Sequence, residues 1–542
     1  MQKTYLLHIL ALGLSAGLIS CSKPDAVGTL NLGSFSDTSG TLKSATSVPI
    51  GIAIDYTPFV NDAKYRGTIA REAKTVTFGY QMKHGALVQN NGTINFSQAD
   101  QLYDLATASG LEVFGHTLGW HTNQNATYLK TLTAGASSAG APNLLTNGDF
   151  EQGSGSSFTG WSAYNGGSSM SAGSGAEVHG GTRSFKATVT ASGQPYSVQL
   201  ASTAFTSTVG SSYKISFWIK AQAAGGKMRL STAPNAQYSA DYTGIGTDWA
   251  QYSWTITANA PATQLVLDVG STANTYYIDD ITITDPSVSV PATGAEIATR
   301  VDNALNDFIT KTVTHYKGKV KAWDVVNEPM IDGSGALRTN TNTTLPNGAT
   351  DYFFWSQYLG RNWALKAFQY AAAADPAAEL YINEYNLEAS GTKLDSLIAY
   401  VNELKGKGAK ISGIGTQMHI STNTSYAGID NAFQKLAATG LKVRVSELDV
   451  RANPLDKADF DPKRNPQAFA YQAAMYKYVI DSYLRYVPAA QRAGITIWGV
   501  TDADSWIVLQ QKKIDTPLLF NADYTKKPAY SGVLQGLKGQ AN

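Results

Sequence analysis

Residues 321–328 are Lys-Ala-Trp-Asp-Val-Val-Asn-Glu, in which an apolar run over 321–326 is followed by two polar side chains, Asn327 and Glu328. Such a run predicts a strand that is buried on both faces, as in a parallel sheet. Seven further runs of this kind lie outside the middle of the chain, at residues 49–54, 75–78, 111–114, 379–382, 411–415, 443–445 and 495–498.

Segments with helical spacing separate these runs. Apolar residues recur at steps of three to five over 297–313, with similar spacing over 363–372, which places them on one face of a helix. Strands that alternate with helices pair in parallel, and eight of them predict an α/β fold, a (β/α)8 TIM barrel. We assign residues 42–138 and 293–538 to this barrel.

Residues 141–286 interrupt the alternation between the third and fourth predicted strands. Gly, Ser and Thr are frequent there, and apolar residues alternate with polar ones or Trp over 213–220. This period of two predicts a strand, and the theme recurs at 264–269 and 276–283. Short strands separated by turns predict an all-β sandwich of jelly-roll type, inserted into the barrel.

The 542 residues exceed what one ordinary core needs, so two or three domains are expected. The 42 basic and 41 acidic residues nearly balance. This near balance gives no electrostatic reason to expect nucleic acid or an anionic membrane surface as a partner. The 29 Tyr and 10 Trp residues first of all build cores, although a neutral polysaccharide partner would also need exposed aromatic rings.

The N-terminus resembles a bacterial lipoprotein signal. Residues 1–20 combine a basic start with an apolar stretch that is too short to span a membrane. Leu-Ile-Ser-Cys at 18–21 resembles a lipobox, and Cys21 is the only cysteine, so it cannot form an internal disulfide. We expect an exported protein, lipid-anchored at Cys21 to the outer membrane or cell surface of a Gram-negative bacterium, with residues 21–41 as a flexible tether. The alternative is an ordinary signal peptide with an incidental cysteine.

Two glutamates carry the first indication of chemistry. Glu328 follows the fourth predicted strand and Glu447 the seventh, at the end of a TIM barrel where active sites lie. Such a pair can divide the roles of acid and nucleophile, as retaining cleavage of a glycosidic bond requires. For either glutamate alone, a salt bridge or a solvated position is an equally good interpretation.

Five motifs in chain order resemble glycoside hydrolase family 10. They are Gly-His-Thr-Leu-Gly-Trp-His from Gly115, Trp-Asp-Val-Val-Asn-Glu from Trp323, Gln-Met-His from Gln417, Ser-Glu-Leu-Asp from Ser446, and Trp-Gly-Val-Thr-Asp-Ala-Asp-Ser-Trp from Trp498. The resemblance implies a retaining endo-β-1,4-xylanase. On less specific motifs, the insertion resembles a carbohydrate-binding module of the family 4, 9 and 22 type.

The resemblance implies a role for each residue at the reacting centre. Glu328 is the expected general acid/base and Glu447 the expected nucleophile. His419 is expected to donate to Glu447, with Asp449 orienting its ring; the alternative for His419 is an ordinary core histidine. Asn327 is expected to bond the 2-hydroxyl of the sugar beside the cleaved bond. The remaining expected substrate contacts are Lys83, His116, Gln417, Trp498, Trp506 and Trp120, and each tryptophan could instead serve core packing.

The segment after the second strand departs from the family. The usual pattern is Thr-x-Glu-Asn-x-Met-Lys-Trp, whereas this chain has Gly79 and Tyr80 in place of Glu-Asn and His84 in place of Trp. Loss of that carboxylate removes a contact to the second sugar on the non-reducing side. Because Gly79 leaves room there, we expect a rebuilt subsite in which Tyr80 stacks on the sugar or a decoration is accommodated.

The insertion has its own candidate residues. Those for sugar binding are Tyr196, Gln199, Tyr238 and Tyr242, with core packing as the alternative. By resemblance to related modules, Glu151 and Asp280 are expected to hold a structural calcium, while catalysis needs no cofactor.

The expected partners are xylan and xylo-oligosaccharides, with no nucleic acid and membrane contact only through the lipid anchor, for a monomeric protein. Two alternatives stay open. One is a non-catalytic glycan-binding protein, although binding alone does not require both glutamates. The other is an endo-β-1,4-glucanase with the same mechanism, since sequence spacing does not measure the space left for a C6 hydroxymethyl group.

Overall fold

The computed structural model describes residues 34–134, 141–288, 291–461 and 464–540. The expected signal peptide and Cys21 lie outside these residues, as does the first part of the tether. The chain divides into two compact units, one formed by Thr131–Ile297 and the other by the residues on either side of it. Among the helices of the described residues, none is long and apolar enough to cross a membrane.

The described strands, in chain order, are β1 (Ile50–Ile54), β2 (Thr75–Phe78), β3 (Glu112–Gly119), β4 (Trp161–Asn165), β5 (Met170–Gly173), β6 (Ser184–Val189), β7 (Gln199–Ser202), β8 (Phe205–Thr206), β9 (Ser212–Ala221), β10 (Gly226–Ala233), β11 (Tyr242–Ile245), β12 (Ala250–Thr257), β13 (Ala262–Asp268), β14 (Asn274–Thr284), β15 (Ala322–Asn327), β16 (Glu379–Glu384), β17 (Gly413–Thr416), β18 (His419–Ser421), β19 (Lys442–Arg451) and β20 (Arg492–Ile497). Strands β4 to β14 lie in the inserted unit, and the others lie in the unit that flanks it.

The described α-helices are α1 (Tyr56–Asn61), α2 (Ala63–Glu72), α3 (His84–Leu87), α4 (Ser97–Ala108), α5 (Ala126–Ala134), α6 (Gly294–His315), α7 (Trp355–Leu359), α8 (Trp363–Ala374), α9 (Gly391–Gly406), α10 (Tyr426–Ala438), α11 (Pro466–Tyr486), α12 (Trp506–Leu509) and α13 (Pro528–Leu537). The two predicted helices are α6 and α8. Val301, Leu305 and Phe308 of α6 are buried, as the spacing indicates.

Eight parallel strands close into a barrel. They follow one another in the order β1, β2, β3, β15, β16, β17, β19 and β20, and β20 pairs with β1 to complete the circle. Every residue of β1 is buried, as expected for a strand covered on both faces. The predicted TIM barrel, interrupted after its third strand, is confirmed.

Two barrel strands extend further than the apolar runs predict. β3 continues through Gly119, where it pairs with β15, and β19 continues through Arg451, where it pairs with β18. His116, Glu447 and Asp449 therefore lie within strands rather than after them. Backbone pairing fixes these three side chains more rigidly than a loop would.

The inserted unit is a sandwich of two antiparallel sheets. One has the order β11, β10, β13, β7, β4, with β8 paired to β13, and the other has the order β12, β9, β14, β6, β5. Tyr213, Ile215, Phe217 and Ile219 alternate along β9 and are all buried in the core of this unit. The predicted β-sandwich is confirmed.

Candidate active site

Side-chain amides connect Glu328 with Glu447 at the carboxyl end of the barrel. Asn383 Nδ2 donates to Glu447 Oε1 at 2.7 Å and to Asn327 Oδ1 at 2.9 Å. Asn327 Nδ2 in turn lies 3.4 Å from Glu328 Oε1, to which it donates. Residues of β15, β16 and β19, with Glu328 directly after β15, thus hold two carboxylates on one hydrogen-bonded chain.

A second set of contacts reaches Glu447 from the other side. His419 Nε2 lies 3.3 Å from Glu447 Oε2, and His419 Nδ1 lies 2.9 Å from Asp449 Oδ2. Trp506 Nε1 also donates to Asp449 Oδ2, at 2.9 Å. Asp449 is completely buried, so its carboxylate holds the imidazole ring in place toward Glu447.

These contacts set opposite charges on Glu447 and His419. Burial by itself raises the pKa of Glu447, but the hydrogen bond from His419 and the nearby His116 and Lys83 outweigh it and lower the pKa to about 2. Burial likewise disfavours the charged form of His419, yet Asp449 and Glu447 raise its pKa to about 10. Glu447 is therefore an anion at neutral pH, with an imidazolium beside it.

Glu328 sits in a different environment. Gln417 Nε2 donates to Glu328 Oε1 at 3.1 Å, so Gln417, expected to contact sugar hydroxyls, also contacts this carboxylate. The backbone at Glu328 has φ +51°, a left-handed conformation that costs about 1–2 kcal/mol for a residue other than glycine. The hydrogen bonds of the Glu328 backbone with Asn383 and Arg338 hold this strained conformation.

A lysine, a histidine and two indoles lie around the two glutamates. Lys83 is buried, and its Nζ lies 4.6 Å from the centroid of the Trp120 ring. Burial lowers the pKa of Lys83, whereas the carboxylates of Glu447 and Glu328 oppose the shift. The His116 ring lies 5.4 Å from Trp498. These contacts bring the expected substrate-binding residues to the same end of the barrel.

A contact with Asp324 fixes the orientation of the His116 ring. Its Nδ1 lies 2.9 Å from Asp324 Oδ2, and both side chains are buried. Trp498 and Trp506 stand beside His419, with ring centroids 6.2 Å and 4.9 Å away. The two indoles therefore pack against the histidine that faces Glu447.

Two positioning residues, Asn383 and Asp324, were not predicted from the sequence. Asn383 contacts both Asn327 and Glu447, and its own Oδ1 accepts from Ser446 Oγ at 2.6 Å. Asp324 lies inside an apolar run. Asn383 ends a predicted strand as several other polar residues do, so nothing in the spacing singles it out. A carboxylate within a buried strand such as Asp324 needs a partner, and that requirement was the available signal.

The altered segment after β2 differs in part from expectation. A Cβ on Gly79 would lie 3.2 Å from Asp55 Oδ1 and 3.3 Å from the Ile54 carbonyl oxygen, so the expectation of free room at Gly79 is wrong: Asp55 occupies it. Tyr80 is 42% exposed, which leaves its ring available for stacking. His84 is buried and accepts from the Asn125 backbone N–H at 3.0 Å, and burial lowers its pKa to about 3. His84 is therefore a neutral core residue.

Three of the four aromatic and amide candidates in the insertion have accessible or polar settings. Tyr196 and Tyr238 are exposed. Gln199 on β7 donates to Asp268 Oδ1 at 2.8 Å, and Arg229 stacks on Tyr238 with 4.3 Å between guanidinium carbon and ring centroid. Because β7, β10 and β13 belong to one sheet, these contacts connect Gln199 with Tyr238 through Asp268 and Arg229. Tyr196 lies in the short turn that precedes β7.

Tyr242 has a different setting. Its ring packs 5.4 Å from Phe217 and 5.2 Å from Tyr252, and its hydroxyl donates to the Ser253 carbonyl. The interpretation of Tyr242 as a sugar contact gives way to core packing.

The structural calcium expected at Glu151 and Asp280 stays a prediction, and both carboxylates have protein hydrogen-bond partners in the structure. Glu151 accepts from the backbone N–H groups of Thr182 and Arg183 and from the Thr182 hydroxyl. Asp280 Oδ2 lies 2.6 Å from His179 Nδ1. No cluster of three or more His, Cys, Asp or Glu side chains that could hold a metal occurs in the described parts of the chain. Both carboxylates are thus satisfied by protein donors.

Two family models match the chain. Residues 40–147 and 288–536 match the model described as "Glycosyl hydrolase family 10", and residues 142–275 match the one described as "Carbohydrate binding domain". Two curated relatives come from Cellvibrio japonicus: "Endo-1,4-beta-xylanase A" is 37% identical over 266 residues, and "Endo-beta-1,4-xylanase Xyn10C" is 38% identical over 249 residues. The alignments cover 47% and 44% of this chain, and only 43% and 40% of these relatives.

Solved structures agree on the fold. Native xylanase 10B from Thermotoga maritima aligns with a TM-score of 0.54 at 20% identity, covering 92% of this chain and 98% of that one. A thermostable mutant of the xylanase Xyn10A from Cellvibrio japonicus aligns with a TM-score of 0.54 at 23% identity, covering 92% and 100%. At these identities the likeness concerns the fold alone. Because the family model spans most of the chain and both parts of the barrel, this chain belongs to glycosyl hydrolase family 10 and carries a carbohydrate-binding domain inserted within it.

Proposed function

We propose that the chain is an endo-β-1,4-xylanase that hydrolyses internal β-1,4-xylosidic bonds of xylan with retention. The observation that carries the proposal is the environment of Glu447, whose pKa is about 2 beside an imidazolium. A carboxylate kept ionised in a buried site is what a nucleophile toward an anomeric carbon requires. The curated relatives named as endo-xylanases support the choice of substrate.

The two glutamates divide the reaction. Glu447 attacks the anomeric carbon while Glu328 protonates the departing glycosidic oxygen, which gives a glycosyl-enzyme ester. Glu328, then a carboxylate, deprotonates the water that cleaves this ester, and Glu447 leaves as the anion. Asn327, on the strand that precedes Glu328, donates to the 2-hydroxyl, a contact that strengthens as the ring becomes oxocarbenium-like.

The test is a product profile. The full chain is incubated with glucuronoxylan, arabinoxylan and carboxymethylcellulose, and released reducing ends are measured, with Glu447→Gln as the inactive control. We expect release from the xylans, internal cuts that lower viscosity early, and a β-anomer as the first product by proton NMR. A first product of α configuration contradicts retention, and release from carboxymethylcellulose alone favours a glucanase.

The glucanase alternative has one specific point in its favour. "Exoglucanase XynX" from Acetivibrio thermocellus is 35% identical over 235 residues, covering 42% of this chain and 19% of that relative. The carboxymethylcellulose arm of the same profile decides between the two substrates. The non-catalytic alternative fails if the Glu447→Gln variant loses an activity that the unaltered chain has.

We also propose that the insertion binds xylan through the surface of Tyr196, Tyr238 and Gln199. Two exposed rings and a hydrogen-bonding amide suit a neutral sugar chain. The probe is co-sedimentation of the Glu447→Gln chain with insoluble xylan. We expect added Tyr196→Ala and Tyr238→Ala changes to reduce the bound fraction several-fold, while Tyr56→Ala on α1 in the barrel leaves it unchanged.

Export and lipid attachment at Cys21 are a further proposal, supported by the sequence around residues 18–21. Metabolic labelling with radioactive palmitate in a Gram-negative host tests it. We expect label in the unaltered chain and none after Cys21→Ser. Label that persists after this change contradicts attachment at Cys21.

A further inference from the structure

The Asp55 carboxylate is left free by its own helix. Asp55 is the N-cap of α1, yet none of the first helical N–H groups donates to its side chain. At the start of α2, by contrast, Asp62 accepts from the backbone of Lys64 and Tyr65. Pro58, the third residue of α1, has no N–H, which removes one capping donor. Among the described residues, none forms a hydrogen bond or ion pair with the exposed Asp55 carboxylate.

This carboxylate lies where a side chain at position 79, directly after β2, would otherwise start. Asp55 Oδ1 would be 3.2 Å from a Cβ on Gly79, and the Gly79 N–H donates to the Ile54 carbonyl at 2.9 Å. The ends of β1 and β2 are therefore adjacent, and residue 79 contributes no side chain of its own. Asp55 supplies the carboxylate at this point of the barrel mouth.

Lys83 is close enough to Asp55 for its positive charge to act on the carboxylate. Although Asp55 is exposed, the protein atoms around it at the barrel mouth partly desolvate its carboxylate; this desolvation and the carboxylate of Asp504 raise the pKa of Asp55, and the positive charge of Lys83 opposes them. Asp55 and Lys83 form no ion pair in the described part of the chain, so Lys83 does not neutralise the Asp55 carboxylate by direct contact. An acceptor and a donor that are not paired with each other can each bond a sugar hydroxyl.

We propose that Asp55 binds the hydroxyls of the second sugar on the non-reducing side of the cleaved bond, and so makes recognition of that sugar depend on β1 rather than β2. This role rests on the proposed xylanase function. An ionised carboxylate only accepts hydrogen bonds, and its two oxygens can take both hydroxyls of a vicinal diol. Asp55 is a specificity-determining residue and takes no part in bond cleavage.

The first test compares substrates with and without that second sugar. Asp55→Asn should lower kcat/KM for 4-nitrophenyl β-xylobioside roughly ten- to a hundredfold, since hydrogen bonds to charged groups have that strength. It should leave kcat/KM for 4-nitrophenyl β-xyloside within about twofold. The matched control is Asp104→Asn, an exposed carboxylate on α4, which should change neither.

The outcomes separate this role from the proposed function. If the unaltered chain cleaves neither aryl glycoside nor xylan, the proposed function fails and this role with it. If the chain is active but Asp55→Asn affects neither aryl glycoside, or both equally, only the role of Asp55 is overturned. Thermal unfolding of each variant shows whether a loss reflects folding.

The second test moves the carboxylate from β1 to β2. The φ angle of Gly79 is outside the left-handed region, so a glutamate fits its backbone. Gly79→Glu alone should impair the xylobioside reaction because its Cβ meets Asp55, and Asp55→Gly alone should impair it through loss of the contact. The kcat/KM of the double variant should be at least several-fold higher than that of either single variant. A double variant that melts like the unaltered chain without any regain overturns the proposal.

Discussion

At the scale of single residues, the two glutamates are distinguished by their neighbours and not by their own chemistry. Glu447 has an imidazolium on one oxygen and an amide on the other. The Glu328 side chain accepts from the amides of Gln417 and Asn327, and its backbone is strained. We expect Glu447→Gln to lower kcat on xylan by at least about a thousandfold, because it removes the nucleophile itself. Reducing-end assays check this, and a loss below tenfold would contradict the assignment.

His419 makes stability depend on pH in a defined window. Its pKa is about 10 in the folded protein and about 6.5 when unfolded, so its stabilisation is complete below pH 6.5 and is lost as the pH rises toward 10. We expect His419→Gln to lower the free energy of unfolding by about 1.5–3 kcal/mol at pH 7. The difference between the two proteins should shrink toward pH 10. Urea unfolding at several pH values measures it, and a constant difference contradicts the charge on His419.

The pH dependence of the stabilisation by Glu447 has the opposite sign. The pKa of Glu447 is about 2 when folded and about 4.3 when unfolded. Its stabilisation is therefore present above pH 4.3 and is lost as the pH falls toward 2. Because Glu447 stays ionised, we expect that any loss of kcat/KM between pH 6 and 4 is not caused by protonation of this nucleophile.

At the scale of elements, the ends of strands were harder to predict than their cores. Apolar runs located all eight barrel strands, because a strand buried on both faces has few polar residues. Because polar residues were taken to end a strand, the predicted ends of β3 and β19 came too early. In both strands, residues with polar side chains continue the backbone pairing. Asn383 shows the same limit, since its importance comes from β15 and β19, its partners across the barrel mouth. Tyr242 shows that an aromatic on an edge strand can serve the core.

The hydrogen bond from Asn383 on β16 to Glu447 predicts that one substitution changes both the rate and the pH profile. Asn383→Ala removes a donor to Glu447, and a buried carboxylate with fewer donors has a higher pKa. We expect kcat/KM on xylo-oligosaccharides to fall about ten- to a hundredfold and its acid limb to move to higher pH. The control is Asn303→Ala on the exposed face of α6. An unchanged acid limb would show that Asn383 acts only on position.

At the scale of the whole molecule, the sequence indicates both units but not how each site within them is completed. The barrel and the sandwich follow from the period of their apolar residues. The contact between Gly79 and Asp55 could not be predicted, because it joins two strand ends whose separation depends on the barrel geometry. The family resemblance led to the opposite expectation, free room at Gly79, because it compares residue types at position 79 and does not include the neighbouring Asp55.

The division into two compact units predicts separable stability. Phe217 lies in the core of the inserted unit and Phe368 in that of the barrel, and Phe→Ala in a core costs about 3–5 kcal/mol. We expect Phe217→Ala to lower one calorimetric transition while kcat on soluble xylo-oligosaccharides is retained. Phe368→Ala should lower the other transition together with activity. A single transition shifted equally by both variants contradicts independent units.

The pairing of β20 with β1 has a consequence for synthesis. Ile50 pairs with Ile495, so the ring cannot close until almost the entire chain has left the ribosome. The sandwich, in contrast, has all its strands between β3 and β15 and can fold while translation continues. The first three barrel strands must therefore wait, with one edge of β1 and one edge of β3 unpaired, until the later strands arrive. Contacts of such long sequence separation form slowly, and during this interval the exposed edges are the part of the nascent protein most in need of a chaperone.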